Sequence, residues 1–221
     1  MFAGQRLSSP VVINVIIANV MVWLAMTLLP IRYEMLEYGA LFNIESPLFK
    51  PFQVFTYMFM HADVWHLLFN MYALWMFGRV LEYEIGSRRF FIYYMVCGIG
   101  AALVQMGVGY LEYSSMAAEA TSVPQLIELA KFANIPTIGA SGAVFGLLLA
   151  FGLMHPNNVI MLLIPPMPIK AKWFVIVYGL LEFFFGVSGV ASGVAHFAHL
   201  GGMLWGLALL LWWKKQRKIY F

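Results

Sequence analysis

The sequence is poor in charge. Lys, Arg, Asp and Glu make up 10% of its 221 residues, against roughly a quarter in soluble domains. That shortage excludes a soluble enzyme, a disordered chain and a nucleic-acid binder that works through a basic surface. Cysteine is nearly absent. Cys97 stands alone, so no internal disulfide and no Cys-rich metal site can form. It lies in an apolar run and reads as a packed hydrophobe. The stretch Met1-Phe2-Ala3-Gly4-Gln5-Arg6 leads to an apolar run opened by Pro10, and that run has no cleavage site of the A-x-A type. It is therefore expected to be a first span and not a signal peptide. No Arg/Ser-rich transit segment precedes it, from which a bacterial plasma (inner) membrane is expected.

What the chain does have is apolar length: 62% of its residues are hydrophobic. Lipid is the solvent that such a composition requires. A spanning helix needs about 20 residues, which leaves room for five to seven spans and little else. Six apolar segments stand out, at about 11–29, 64–81, 90–111, 140–154, 171–187 and 195–213. The expected fold is an all-α polytopic bundle of six transmembrane helices, one domain over residues 1–221. With the N-terminus in the cytoplasm, Arg6, Arg79, Arg88, Arg89, Lys170, Lys172, Lys214, Lys215, Arg217 and Lys218 fall inside, and Arg32, Lys50 and Lys131 fall outside. This is a positive-inside bias, and an even number of spans puts both termini on the cytoplasmic side. Two external connections are long, 30–63 and 112–139. The aromatic-rich first one is expected in the interface or against the bundle, and the second is expected to hold a short surface helix near Pro124 to Ile135.

On this topology the second, fourth and sixth segments all start at the external side. His66 and Asn70, Ser141, and His196 and His199 lie in their first turns. At 1.5 Å per residue these groups share one depth, a little below the external surface. Polar groups inside a span are costly and usually face partners or a water-filled cavity. Asn14 and Asn19 in the first segment lack such company and read as helix-packing groups. Gly142 and Gly146, and Gly202 and Gly206, are small-xxx-small pairs that let two backbones approach closely. They offer a way to bring the serine of one helix to the histidine of another.

A serine hydroxyl becomes nucleophilic when an imidazole within about 3 Å takes its proton. Ser141 and His199 can supply that pair. Acyl transfer also needs donors for the developing oxyanion. The Ser141 amide at a helix N-terminus, His66 and Asn70 are candidates. No acid that would orient the histidine is evident near it in sequence. Glu182 is the only carboxylate in the external half of a span, and simple structural pairing is expected of it. Phe145, one turn after Ser141, is placed to lie against the imidazole. Zinc is the competing chemistry for His61, His66, His196 and His199, but no H-E-x-x-H or carboxylate-rich pattern accompanies them.

Three pieces carry a family resemblance: His61-Ala62-Asp63-Val64-Trp65-His66-Leu67-Leu68-Phe69-Asn70, Gly139-Ala140-Ser141-Gly142, and Ala195-His196-Phe197-Ala198-His199-Leu200-Gly201-Gly202. Gly78, Glu82 and Gly86 also fit. In this order, on these spans, the chain resembles the rhomboid intramembrane serine proteases over essentially its whole length. The resemblance implies Ser141 as nucleophile and His199, directly before Leu-Gly-Gly, as general base. It implies an oxyanion hole of His66, Asn70 and the Ser141 amide, with Gly139, Gly142, Phe145, His61 and Gly202 supporting the site. Phe145 stands where many members carry Tyr. The implied activity is a serine endopeptidase cutting peptide bonds in or near transmembrane segments of other proteins, with a small residue before the cut. The fifth segment would be the lateral gate. The partners are then transmembrane protein substrates and the lipid bilayer, with no nucleic acid, no metal and no small-molecule cofactor. A rhomboid-like protein that binds membrane clients without cutting them is the alternative. A transporter would instead need polar groups at the midplane and broken helices in paired halves.

Overall fold

The computed structural model describes residues 9–161, 166–189 and 194–219. Arg6, counted in the charge bias, lies outside them. All six apolar segments are helical. They are α1 (Pro10–Leu28), α4 (Val64–Ile85), α5 (Ser87–Glu119), α7 (Ser141–Met154), α8 (Ala171–Ser188) and α9 (His196–Lys215). The third runs on to Glu119 instead of stopping at 111. Between them lie α2 (Arg32–Gly39), α3 (Gln53–Thr56), which continues into a 3₁₀ turn at Tyr57–Phe59, and α6 (Val123–Ala133). The surface helix expected in the second long connection is α6. Ser122 and Gln125 form its capping box, and Pro124 sits in the first turn, where a missing N–H costs nothing. A short antiparallel pair interrupts the helices: β1 (Val159–Met161) pairs with β2 (Pro168–Lys170), Ile160 opposite Ile169.

Helices α1, α5 and α8 are each long and apolar enough to cross a membrane. Helices α4 and α9 have the length, 22 and 20 residues, but carry the polar groups singled out above. Helix α7 has 14 residues, about 21 Å at 1.5 Å per residue and short of a hydrocarbon core of roughly 30 Å. Nearly all of it is buried, and α5, α7 and α9 form the tightest trio of the bundle. The outer faces are greasy instead. Leu28, Trp65, Leu111, Leu180 and Val187 are all exposed, as lipid contact requires and water would penalise.

Buried polar groups pin the elements together. Glu82, 2% exposed, accepts from the Val11 and Val12 N–H groups at 3.0 and 2.9 Å and from Ser87 Oγ at 2.6 Å. It thereby places a carboxylate on the N-terminus of α1, where the free amides and the dipole favour an anion. The first long connection packs onto the bundle around Gln53. Its amide donates to the Glu37, Tyr38 and Leu48 carbonyls, and its oxygen accepts from Lys50 N–H. Two further bonds between Leu41 and Thr137 stitch this connection to the chain just before α7.

Asn14 is a correction. It was expected at a helix contact, but it points outward. The buried side of α1 follows Val12, Val15, Asn19 and Met26, and position 14 lies off that stripe. Asn19 is buried, and its amide donates to the carbonyl of Val15 in its own helix at 2.7 Å.

Candidate active site

Ser141 is the first residue of α7. Its neighbour Gly139 has φ +127°, a conformation that side chains rarely adopt. A Cβ there would also stand 2.7 Å from His66 Nε2, so glycine is required twice over. The Gly139 N–H donates to the Tyr57 carbonyl at 2.9 Å, while the Tyr57 hydroxyl donates to the Gly98 carbonyl at 2.6 Å. Tyr57 therefore ties the turn before the serine to α5. Sequence reading missed this anchor, because a loop tyrosine 84 positions from the serine carries no periodic signal. The N–H groups of the first turn of α7 have no intrahelical acceptor and leave donors beside the Ser141 hydroxyl.

His199 reaches Ser141 from α9. Its Nε2 is 2.8 Å from Ser141 Oγ. The ring, buried, lies flat on Phe145, with centroids 4.1 Å apart and planes 5° from parallel. Tyr178 of α8 stacks on the other face of Phe145 at 5.2 Å. This close meeting of α7 and α9 depends on small residues. A side chain at Gly202 would fall on the Gly142 carbonyl, and one at Gly146 would crowd the Gly202 carbonyl at 3.1 Å while colliding with Cys97 of α5.

His66 is set by its helix start. Asp63 caps α4 by accepting the His66 N–H at 2.9 Å. That bond holds the Asp63 carboxyl below the ordinary carboxylate range. Ala62 N–H points at His66 Nδ1 at 3.4 Å. In the neutral ring this leaves the proton on Nε2, the nitrogen that faces Gly139. Asn70, one turn on and buried, donates one amide hydrogen to the His66 carbonyl at 2.8 Å and keeps a second. His61 packs edge-on against His66, with centroids 4.9 Å apart. It is fully buried, and its ring nitrogens have no well-formed hydrogen bond among the described residues. Burial first, then the neighbouring His66, push its pKa down to about 3.

No acid is evident near His199 in sequence, but the structure brings one to its ring, and the pairing expected of Glu182 is with histidines. Glu182 Oε2 lies 2.9 Å from His199 Nδ1 and 2.6 Å from His196 Nδ1, with all three residues buried. Helix α8 carries this carboxylate across, so its distance in sequence from the histidine concealed it. The same three residues form a group that could in principle hold a cation. Their separations are those of hydrogen bonds, however, whereas ligands about 2.0–2.1 Å from a tetrahedral zinc stand about 3.3 Å from one another. His61 and His66 pair with each other, apart from this group. His155, at the far end of α7, pairs with Glu84 at 3.0 Å.

Taken together, a serine hydroxyl hydrogen-bonded to an imidazole, and amide and imidazole groups able to donate, converge at the starts of α4, α7 and α9, the residue types that acyl transfer uses. The family model described as Rhomboid domain matches residues 49–215. The chain is 33% identical over 156 residues to "Rhomboid protein 1, mitochondrial" of Saccharomyces cerevisiae, covering 67% of this chain and 38% of that protein. It is 29% identical over 154 residues to "Rhomboid protease GluP" of Bacillus subtilis, covering 70% and 24%. With "Rhomboid protease GlpG" of Salmonella choleraesuis it shares 27% over 203 residues, covering 91% and 62%. The chain thus spans less than two thirds of the length of each of these relatives.

Proposed function

This chain belongs to the rhomboid family, and from that premise we propose that it is an intramembrane serine endopeptidase, hydrolysing peptide bonds in or near transmembrane segments of membrane-protein substrates. The observation that carries the proposal is the 2.8 Å approach of His199 Nε2 to Ser141 Oγ, with the ring stacked on Phe145. Ser141 Oγ attacks the scissile carbonyl as its proton passes to His199 Nε2. The oxyanion is met by the Ser141 N–H, His66 Nε2–H and the spare Asn70 amide hydrogen. His199 then returns the proton to the leaving amine, and a water activated by the same nitrogen releases the acyl group. Gly139, Gly142 and Gly202 keep the backbones close enough for this, and His61 backs His66.

The family and the apolar helices make the chain an integral membrane protein. We read six spans, with both termini on the cytoplasmic side and water reaching Ser141 from the opposite one. The shortness of α7 supports this, because a buried helix that falls short of the bilayer thickness starts below the surface. Named relatives are mitochondrial and chloroplastic as well as bacterial, so the expected bacterial inner membrane has no support over an organelle membrane. A client-binding role without cleavage is the alternative. The hydrogen-bonded Ser141 and His199 weigh against it.

The test is cleavage of a transmembrane model substrate by the purified chain. Ser141→Ala and His199→Ala are expected to abolish it. His66→Ala and Asn70→Ala are each expected to lower turnover about ten- to a thousandfold while substrate still binds. Undiminished cleavage by Ser141→Ala would sink the protease assignment.

A further inference from the structure

Glu182 has no part in the two-residue chemistry proposed above. Its surroundings are those of a group with a task. It is 7% exposed on a helix whose outer neighbours Leu180, Phe183 and Phe184 face outward. For His199 Nε2 to accept the serine proton, the ring's own proton must sit on Nδ1. That nitrogen points at Glu182 Oε2, 2.9 Å away. His196 Nδ1 meets the same oxygen at 2.6 Å, its ring standing 88° to that of His199. Two N–H donors on one oxygen fix a carboxylate in direction as well as in place. One turn further along α8, Gly186 lets the helix come close: a Cβ there would lie 3.3 Å from the Cβ of His196.

We propose that Glu182 is a positioning residue that completes a Ser141–His199–Glu182 triad, with His196 orienting the carboxylate. The inference rests on Ser141 and His199 acting as nucleophile and base. In this arrangement the Ser141 proton moves to His199 Nε2 as the bond to the substrate carbon forms. The Nδ1–H stays on the ring, and the adjacent negative charge stabilises the imidazolium. No proton passes to Glu182. Because the acid rides on α8 while the serine and the base ride on α7 and α9, the triad is complete only while the outer half of α8 is packed against α9. Beyond Val175, Glu182 is the only buried residue of that helix. The carboxylate is therefore both the link to the base and the main internal contact of this half. Tyr178, one turn earlier, touches the base indirectly through Phe145. Displacing this stretch of α8 would remove both supports together.

The experiment uses the full chain, purified, with Ser141→Ala, Glu182→Leu and Glu182→Gln beside the parent. Two rates are read: kcat and KM on a transmembrane substrate, and phosphonylation of Ser141 by a small fluorophosphonate, which reports activation of the hydroxyl without docking a helix. Glu182→Leu is expected to lower kcat and the phosphonylation rate together, by about a hundredfold or more, with KM within about threefold of the parent. Glu182→Gln keeps the shape and one acceptor oxygen, and an intermediate loss is expected. If Glu182→Leu does not fold, Glu182→Gln carries the test alone. Phosphonylation at the parent rate in the folded variants would overturn the triad, even if KM or thermal stability had changed. In that case, loss of cleavage in Ser141→Ala would leave the protease proposal standing. Cleavage retained in Ser141→Ala would remove the protease proposal itself.

Discussion

His61 sits beside the site with its ring sealed from solvent, and the seal has a measurable cost. Its pKa is held down to about 3, against an ordinary 6.5. Burial and the facing His66 disfavour the charge, while Asp63 and the Phe59 carbonyl only partly favour it. On unfolding the ring returns to its ordinary value. Between pH 6.5 and about 3 the unfolded chain therefore binds a proton that the folded chain refuses. Stability falls as pH drops through that window, by up to about 1.4 kcal/mol per unit from this one group. Thermal unfolding in micelles between pH 7.5 and 4.5 is expected to show a flatter acid slope for His61→Gln than for the parent. Equal slopes would remove His61 as the cause. At this scale the sequence was legible where chemistry follows local spacing. Ser141 after Gly139, Phe145 one turn on, and His66 with Asn70 all share turns or faces. Glu182 was not legible. A carboxylate 17 positions before His199 reaches it only through the rotation of α8 against α9, and no short-range pattern encodes that rotation.

Helices α7 and α9 meet backbone to backbone, and Gly202 is the point of least tolerance. An added methyl would fall on the Gly142 carbonyl, which has no flexible end to give way. Separating the helices also moves His199, three positions earlier, away from Ser141. Gly202→Ala is expected to lose about 1–3 kcal/mol or more of stability and to cut cleavage at least a hundredfold, since catalysis suffers from misplacements of 1 Å. The control is Gly107→Ala. Nothing lies within 4 Å of a Cβ at that position, and the change is expected to stabilise α5 by up to about 1 kcal/mol. If thermal midpoints and cleavage rates were the same in both variants, close approach would not be what Gly202 provides. The elements themselves were largely readable: apolar length marked six helices, and a capping sequence with proline marked α6. The small hairpin of β1 and β2 and the folding of the first connection around Gln53 were not. The first is a ladder of only three residue pairs and the second a set of hydrogen bonds to one side chain, and neither leaves a hydrophobic period to find.

Across the whole molecule, α4, α7 and α9 all begin at the level of the site. The basic residues Arg88, Lys215 and Lys218 cluster at the opposite end or beyond it. This polarity makes a prediction about sidedness that is independent of catalysis. Cys97 is fully buried, so a membrane-impermeant maleimide should leave the parent chain unlabelled and report only cysteines placed elsewhere. Glu128→Cys on α6, and Arg88→Cys and Lys215→Cys at the starts and ends of α5 and α9, each put a thiol at an exposed position. In sealed vesicles or whole cells Glu128→Cys is expected to react from one face, and the other two only from the opposite face or after permeabilisation. Labelling of Glu128→Cys and Lys215→Cys from the same side would overturn the six-span arrangement. Opposite-sided labelling would leave Ser141, at the start of the short α7, within reach of one aqueous phase and deep enough to meet a substrate still held in lipid.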